Sequence, residues 1–510
     1  MLSIVQRTAL HGLQGYLVNI QVDISSGMPS FDIVGLPDTS IRESRERVKT
    51  AIRNSTFEFL SRKIVVNLAP ASTKKEGSIF DLPIAVGILI ASNIVSNTNL
   101  KNTIIIGELS LDGSIRKITG ILPICIEAKN LGIKKVILPK ENAKEACIID
   151  NLDIIPVSTL TEVIDYLNGI ISIPKEKSIN FHSNIDSEYE FDFSEVKGQE
   201  SVKRALEISA SGGHNCLLIG SPGSGKTMLA RRLPGILPDL TFEEALEITK
   251  IHSISGLLSQ NTPFIFKRPF RSPHHTITET SLVGGGRMPK PGEISLAHYG
   301  VLFLDELPEF NKSSLEVLRG PLEDKIVTIS RVDFSTTYPC NFMFIASMNP
   351  CPCGYYGSKE RQCTCREDQI QKYIHKISGP LLDRIDIHIE VESVNYQKLE
   401  NDSPAESSCE IRKRVNNARN IQLERYKNYK IFSNSELTPA LISKYCKLSS
   451  ESKKILESAF NRLGLSARAY NRILKVARTI ADLDNSENIQ THHLAEAIQY
   501  RSLDRKYWCN

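Results

Sequence analysis

The octapeptide GSPGSGKT, Gly220 to Thr227, directly follows the apolar run CLLIG and leads into TMLARRL. It fits G-x-x-x-x-G-K-[ST] at every fixed position. Placed between a buried strand and a helix, that pattern closes backbone N–H groups around phosphate oxygens at the positive end of the helix dipole. A chain that carries it is committed to a strand, a glycine-rich turn and a helix, and so to an α/β domain around a parallel sheet. Gly220, Ser221, Pro222, Gly223, Ser224 and Gly225 form the cradle of the expected nucleotide site. Lys226 is placed to reach the β- and γ-phosphates of ATP, and Thr227 to ligate Mg²⁺.

Phosphoryl chemistry needs further parts, and the downstream sequence supplies candidates. VLFLDEL, Val301 to Leu307, is an apolar run that ends in two acids. A run of this kind suits a strand covered on both faces of a parallel sheet. It leaves Asp305 at the strand mouth to hold the metal and Glu306 to polarise an attacking water. FMFIASMNP reads as a third strand, with Asn349 at its polar end to sense the γ-phosphate. In GPLLDRIDIHIEV, Arg384 precedes a further apolar strand and is the candidate for stabilising transition-state charge. The competing reading pairs it with Asp383 or Asp386.

Four of the eleven cysteines fall in CPCGYYGSKERQCTC. No run approaches the ~20 apolar residues of a membrane helix. The opening MLSIVQRTALHGLQGYLVNI is broken by Arg7, His11 and glutamines and is not expected to be a secretory signal. No membrane association is therefore expected, and the expected location is cytoplasmic, where thiols stay reduced. Cys351, Cys353, Cys363 and Cys365, with Pro352 and Gly354 to bend the chain, then suit a structural tetrahedral Zn²⁺ site. Unmetallated thiols and an iron–sulfur cluster are the alternatives.

Four segments follow from pattern and composition. Residues 1–172 alternate strands such as LVNIQVDIS, KIVVNLA and VILP with helices, one of them capped by Asp38 or Thr39. Residues 173–190 are a polar linker, 191–395 the phosphate-binding domain, and 405–510 a helical region with caps expected at Ser466 and Thr491. From Pro404 onward there are nineteen Lys and Arg against eleven Asp and Glu, whereas the whole chain carries only +4. A basic C-terminal region points weakly toward nucleic acid.

The order GSPGSGKT, VLFLDEL, ASMNP, GPLLDRID and SARAYNRILKVAR, with RPFRSPHHT and GGGRMPKPGEISLAHYGVLFLDELPEF, resembles AAA+ ATPases of the magnesium-chelatase-like YifB/ComM family. The resemblance covers essentially the whole chain. It implies a central AAA+ domain with a C-terminal helical lid, and a homo-oligomeric ring, most simply a hexamer. By comparison with the related minichromosome-maintenance helicases, Arg384 would act on a neighbour's ATP and Arg468 would be a second sensor, with Arg472 as the alternative. The same comparison marks two hairpins as DNA contacts, through Arg287 and Lys290 in the first and Arg331 in the second.

KKEGSIFDLPIAVG and GELSLDGSIRKITGILPICIEAKNLGIKKVILPKEN resemble the Lon-type peptidase domain. Its serine position is Ile79 and its lysine position Leu122. Ser78 and Lys117 lie off those positions, so residues 1–172 are expected to keep the fold without the catalytic dyad. The degenerate fold also resembles that of the RadA recombination ATPase. Arg42, Lys49 and Arg53, beside the apolar face Ile41, Val48 and Ile52, form the candidate DNA stripe of this domain.

The family resemblance thus implies an ATP-dependent motor on single-stranded or branched DNA, a branch-migration helicase in recombination and natural transformation. The rival readings are a chelatase-type remodeller and a chaperone-like protein remodeller.

Overall fold

The apolar runs become parallel strands with no exposed position. In the computed structural model of the chain, every residue of Cys216–Gly220, Val301–Leu304 and Met343–Met348 is buried. The structure describes the chain except residues 1, 74, 76, 96–99, 177–188, 260, 287–288, 331–334, 359–360, 394–404, 430, 464, 504–506 and 509–510. Most of the expected linker 173–190 lies outside the described residues.

Two compact units divide the chain: Met1–Asn184 with Ala245–Phe266, and Ile185–Glu244 with Lys267–Asn510. The first is built on a seven-stranded mixed sheet in the order Ser30–Val34, Lys63–Ala69, Gln14–Ser25, Leu2–His11, Thr103–Ile105, Lys135–Pro139, Asp153–Val157. Leu2–His11 and Gln14–Ser25 pair antiparallel, a hairpin of which the sequence reading recognised only the second strand. The apolar helix Asp81–Ala91 is buried at every position. Helix Thr39–Asn54 is capped by Asp38, whose carboxylate accepts from the Ile41 amide at 2.8 Å. Ile41, Val48 and Ile52 face the core, while Arg42 and Arg53 are exposed and Lys49 is partly so.

At the two peptidase positions, Ile79 packs partly buried against both apolar clusters of this unit and Leu122 is fully buried. Ser78 gives its hydroxyl to Glu108, and Lys117 donates to the Leu258 carbonyl at 2.8 Å. Among the described residues neither Ser78 nor Lys117 pairs with the other, and nucleophilic catalysis by a Ser–Lys dyad requires such a pairing.

Residues 245–266, expected inside the 191–395 domain, group instead with the first unit. Ser253 accepts from the Gly120 amide at 3.1 Å and gives its hydroxyl to the buried Glu145, and Leu246 packs on the Ile121–Ile124 cluster. Such contacts join residues more than a hundred positions apart, and no local pattern announces them.

The second unit holds a five-stranded parallel sheet in the order Phe270–Arg271, Val301–Leu304, Met343–Met348, Cys216–Gly220, Ile387–Val391. Helices Ser408–Tyr426, Pro439–Tyr445, Ser450–Leu463, Ala467–Leu483 and Thr491–Gln499 share one hydrophobic core with this sheet and with helix Glu200–Gly212. The helical region is therefore part of the same compact unit as the sheet. Ser466 caps its helix, accepting from the Ala469 amide at 3.2 Å. The cap expected at Thr491 is one residue earlier: Gln490 occupies it, and the His493 ring accepts from its amide at 3.0 Å. Among the described residues, no helix is long and apolar enough to cross a membrane.

Candidate active site

Parallel strands bring their carboxyl ends to one edge of a sheet, and in open α/β sheets ligands bind there. The register fixes which residues meet. Leu304 pairs with Ala346 and Ile219 with Met348, so one step further Asp305 lies beside Ser347 and Asn349 beside Gly220. The loop Ser221–Gly225 leaves strand Cys216–Gly220, on the far side of the central Asn349-bearing strand from Asp305. Gly225 adopts φ 89° as it enters helix Lys226–Arg232, a left-handed conformation that costs glycine little and a side-chain-bearing residue more.

Lys226 is buried beneath the loop. Its ammonium donates to the carbonyls of Gly220 and Ser221 at 2.8 and 2.9 Å and to Asn349 Oδ1 at 3.1 Å. Thr227 Oγ1 donates to Asp305 Oδ2 at 2.6 Å. The second oxygen of Asp305 accepts from the Ser347 hydroxyl and, at 3.1 Å, from the Glu306 amide. A hydroxyl and a carboxylate oxygen side by side form the hard-oxygen donor set that Mg²⁺ requires. Glu306 is exposed at the strand mouth with φ 55°. Left-handed backbone is sparsely populated by residues with side chains, and such strain clusters at functional sites.

Burial pushes the Lys226 ammonium down to about 8, and the carboxylates of Asp305 and Glu306 oppose the shift. Below that pH the lysine already carries the charge a phosphate needs. Above it, binding must take up a proton. Nucleotide affinity is expected to hold between pH 6 and 8 and then to fall by up to about tenfold per pH unit. Fluorescent ADP titrated at pH 7 and pH 9 measures this, and equal affinities would contradict it.

Ser347 and Gln199 are site residues that the sequence reading missed. Ser347 is completely buried and holds Asp305; its signal was the lone hydroxyl within the run FMFIASM. Gln199, at φ 63° ahead of helix Glu200–Gly212, ties the phosphate loop to the edge strand through the carbonyls of Ser224 and Glu392.

The structure does not bring Arg384 or Arg468 to these groups. Strand Ile387–Val391 runs parallel to Cys216–Gly220, with Cys216 opposite Ile387 and Gly220 opposite Val391. Arg384 precedes it, and its carbonyl accepts from Asn215 Nδ2 at 2.7 Å, at the opposite end of the phosphate-loop strand. At 3.3 Å per residue the five steps from Asn215 to Gly220 span roughly 16 Å. The guanidinium pairs with neither Asp383 nor Asp386. It pairs with Glu323 and donates to the Pro380 carbonyl at 2.7 Å, while its buried Nε has no hydrogen-bond partner. Asp386 is taken by Arg472 at 2.8 Å. Arg468 is exposed and lies 3.7 Å from Asp383, next to Arg384 in the chain. The two arginines therefore share the edge of the sheet remote from Lys226.

The expected nucleic-acid hairpins also come together. Gly284–Gly285 pairs with Lys290–Pro291, and Ile326–Ser330 with Ser335–Pro339. Tyr338 of the second donates its hydroxyl to the Pro289 carbonyl in the turn of the first at 2.7 Å. Lys290 is exposed; Arg287 and Arg331 lie outside the described residues.

The four clustered cysteines converge. Cys351 Sγ lies 3.3 Å from Cys353 Sγ and 3.7 Å from Cys363 Sγ, and all four sulfurs lie within 4.8 Å of one another. Zn–S bonds of about 2.3 Å in a tetrahedron place sulfurs about 3.8 Å apart, so the donor set fits zinc.

The chain is similar to known proteins over nearly its whole length. Residues 192–399 match the family described as magnesium chelatase, subunit ChlI, residues 20–142 that of subunit ChlI of Mg-chelatase, and residues 405–501 that of the ChlI C-terminal region. Competence protein ComM of Haemophilus influenzae is 42% identical over 99% of this chain and 98% of its own. YifB of Escherichia coli is 43% identical, again over 99% and 98%. Lon protease 2 of Bacillus subtilis is 30% identical over 36% of each chain.

Proposed function

This chain belongs to the magnesium-chelatase-like AAA+ family of ComM and YifB, and from that premise we propose that it is a ring-forming ATPase that drives DNA. The observation that carries the ATPase reading is the convergence of Lys226, Thr227, Asp305, Glu306 and Asn349 on one edge of the parallel sheet. The site's substrate is ATP. Lys226 would neutralise its β- and γ-phosphates, Glu306 would orient and polarise water, and Asn349, which already contacts the lysine, would sense the γ-phosphate. Thr227 and Asp305 would hold Mg²⁺, which supplies charge neutralisation along the phosphates.

The placement of Arg384 and Arg468 supports a ring. Neither reaches its own phosphate loop across the length of the strand, so each serves a neighbour's nucleotide. A homo-oligomer, most simply a hexamer, closes every such pocket. In the single chain the Arg384 guanidinium is held by Glu323 and the Pro380 carbonyl, and it would have to leave Glu323 to meet a neighbour's phosphate.

DNA as the substrate is supported by the pairing of the two hairpins and by the family's ComM, whose name ties it to competence. Lys290 with Arg287 and Arg331 would contact the phosphate backbone, giving sequence-independent, salt-sensitive binding. Branch migration of recombining strands in the cytoplasm is the activity this arrangement serves best. The four cysteines would hold Zn²⁺ as a structural ion.

The test is the ATP hydrolysis rate with no DNA, with single-stranded DNA and with forked DNA, each at low and high salt. Stimulation that salt abolishes is expected. A rate indifferent to every DNA would leave the ATPase and remove the DNA motor.

A further inference from the structure

We infer that the cysteine knuckle is a metal-set latch on the phosphate loop, so that binding of a thiophilic divalent cation and binding of nucleotide are coupled. The inference rests on the reading of residues 220–227 as a nucleotide cradle.

The two sites touch. Gly354, inside the knuckle, has φ 85°, and a Cβ built on it would stand 2.4 Å from Cδ and 2.5 Å from Cγ of Pro222. The knuckle backbone thus lies directly against the proline ring of the phosphate loop. Upstream, Asn349 accepts from Lys226, and Cys351 follows two residues later. A single segment therefore carries a contact to the lysine, the first thiol and the contact to Pro222. On the other side, Tyr356 meets Tyr507 edge-on, with ring centroids 6.4 Å apart.

What holds that segment in place is the thiol set. Between Cys351 and Arg366 the described residues form no helix or strand, so no backbone ladder fixes them. Backbone amides instead point at sulfur: Tyr356 N–H donates to Cys351 at 3.3 Å, Cys353 N–H to Cys365 at 3.3 Å, and Cys365 N–H to Cys363 at 3.4 Å. Four sulfurs converging at this spacing form a donor set that a thiophilic cation would bind together. With the cation bound, the sulfurs lock Gly354 against Pro222 and limit the conformations open to the loop. Without it, the loop must be ordered when nucleotide arrives. Ordering one residue costs about 1–2 kcal/mol, which corresponds to a loss of affinity of about 5- to 30-fold.

The experiment uses the full-length protein with its native metal, the same protein stripped by a chelator, and stripped protein given ZnCl₂. Metal content, amide hydrogen exchange over residues 221–227 and affinity for a fluorescent ADP are read on each. Stripping is expected to speed exchange in the loop and to weaken ADP binding about tenfold, and zinc to restore both. The variant Gly354→Ala is expected to keep the metal yet show the same faster exchange and weaker binding, because its methyl displaces Pro222. Protein purified with no metal and unable to take up zinc would overturn the latch. So would stripped, folded protein with unchanged loop exchange and ADP affinity. If zinc governs loop exchange but the loaded protein binds no ADP, the metal's hold on the loop stands, while the coupling to nucleotide falls together with the nucleotide reading.

Discussion

Replacing Arg384 with alanine is expected to lower ATP hydrolysis by about 10³–10⁵-fold, because a loose phosphoryl transition state needs a cation at the departing charge. Binding of ATP to the altered subunit's own pocket should be unaffected, since Arg384 sits at the far end of the strand that feeds that pocket. The substitution also removes the pairing with the exposed Glu323 and the bond to the Pro380 carbonyl, which together stabilise the fold by about 1–3 kcal/mol. A melting temperature near that of the parent, with a collapsed rate, therefore identifies catalysis rather than folding. Mixing Arg384→Ala with Lys226→Ala subunits should recover part of the activity. Some interfaces in the mixture then combine an intact lysine with an intact arginine. Activity that stays absent in mixed rings, or a weakened nucleotide affinity in Arg384→Ala alone, would refute action across the interface.

The second large effect belongs to Glu306. Glu306→Gln keeps the shape and removes the charge that polarises water. Hydrolysis is expected to fall by about 10²–10⁴-fold with ATP still bound. Because the residue lies at φ 55°, the variant retains whatever backbone strain the parent has. The amide of residue 306 still donates to Asp305 and Ser347, so the Asp305 carboxylate stays placed. Asp305→Asn should instead weaken Mg²⁺-dependent binding. A Glu306→Gln enzyme that turns over at the parental rate would assign the water to another group.

The parts of the site that read directly from sequence are those whose chemistry is local. A glycine-rich turn has to follow a strand. Acids at the end of VLFL have to emerge at its mouth. Asn349 could be placed because FMFIASM is too apolar to be anything but an interior strand. What stayed hidden depends on long-range pairing. Arg384 has two aspartates within two residues, yet its partner is Glu323, sixty-one residues earlier, because Asp386 is committed to Arg472. Ser347 looked like a small interior residue until the register set it beside Asp305. The strand Leu2–His11 was obscured by Arg7. That residue is fully buried, with its guanidinium 3.7 Å from the centre of the Phe80 ring. The segment 245–266 carries no local mark of the surface it packs on.

The phosphate-loop strand, with Lys226 beyond one end and Arg384 beside the other, bears on how many pockets the proposed assembly can complete. An open row of n such subunits contains n pockets but only n − 1 completed ones, and only circular closure makes the numbers equal. In the proposed ring, specific activity per subunit should therefore climb with assembly size, and an opened ring would carry one idle position at its break.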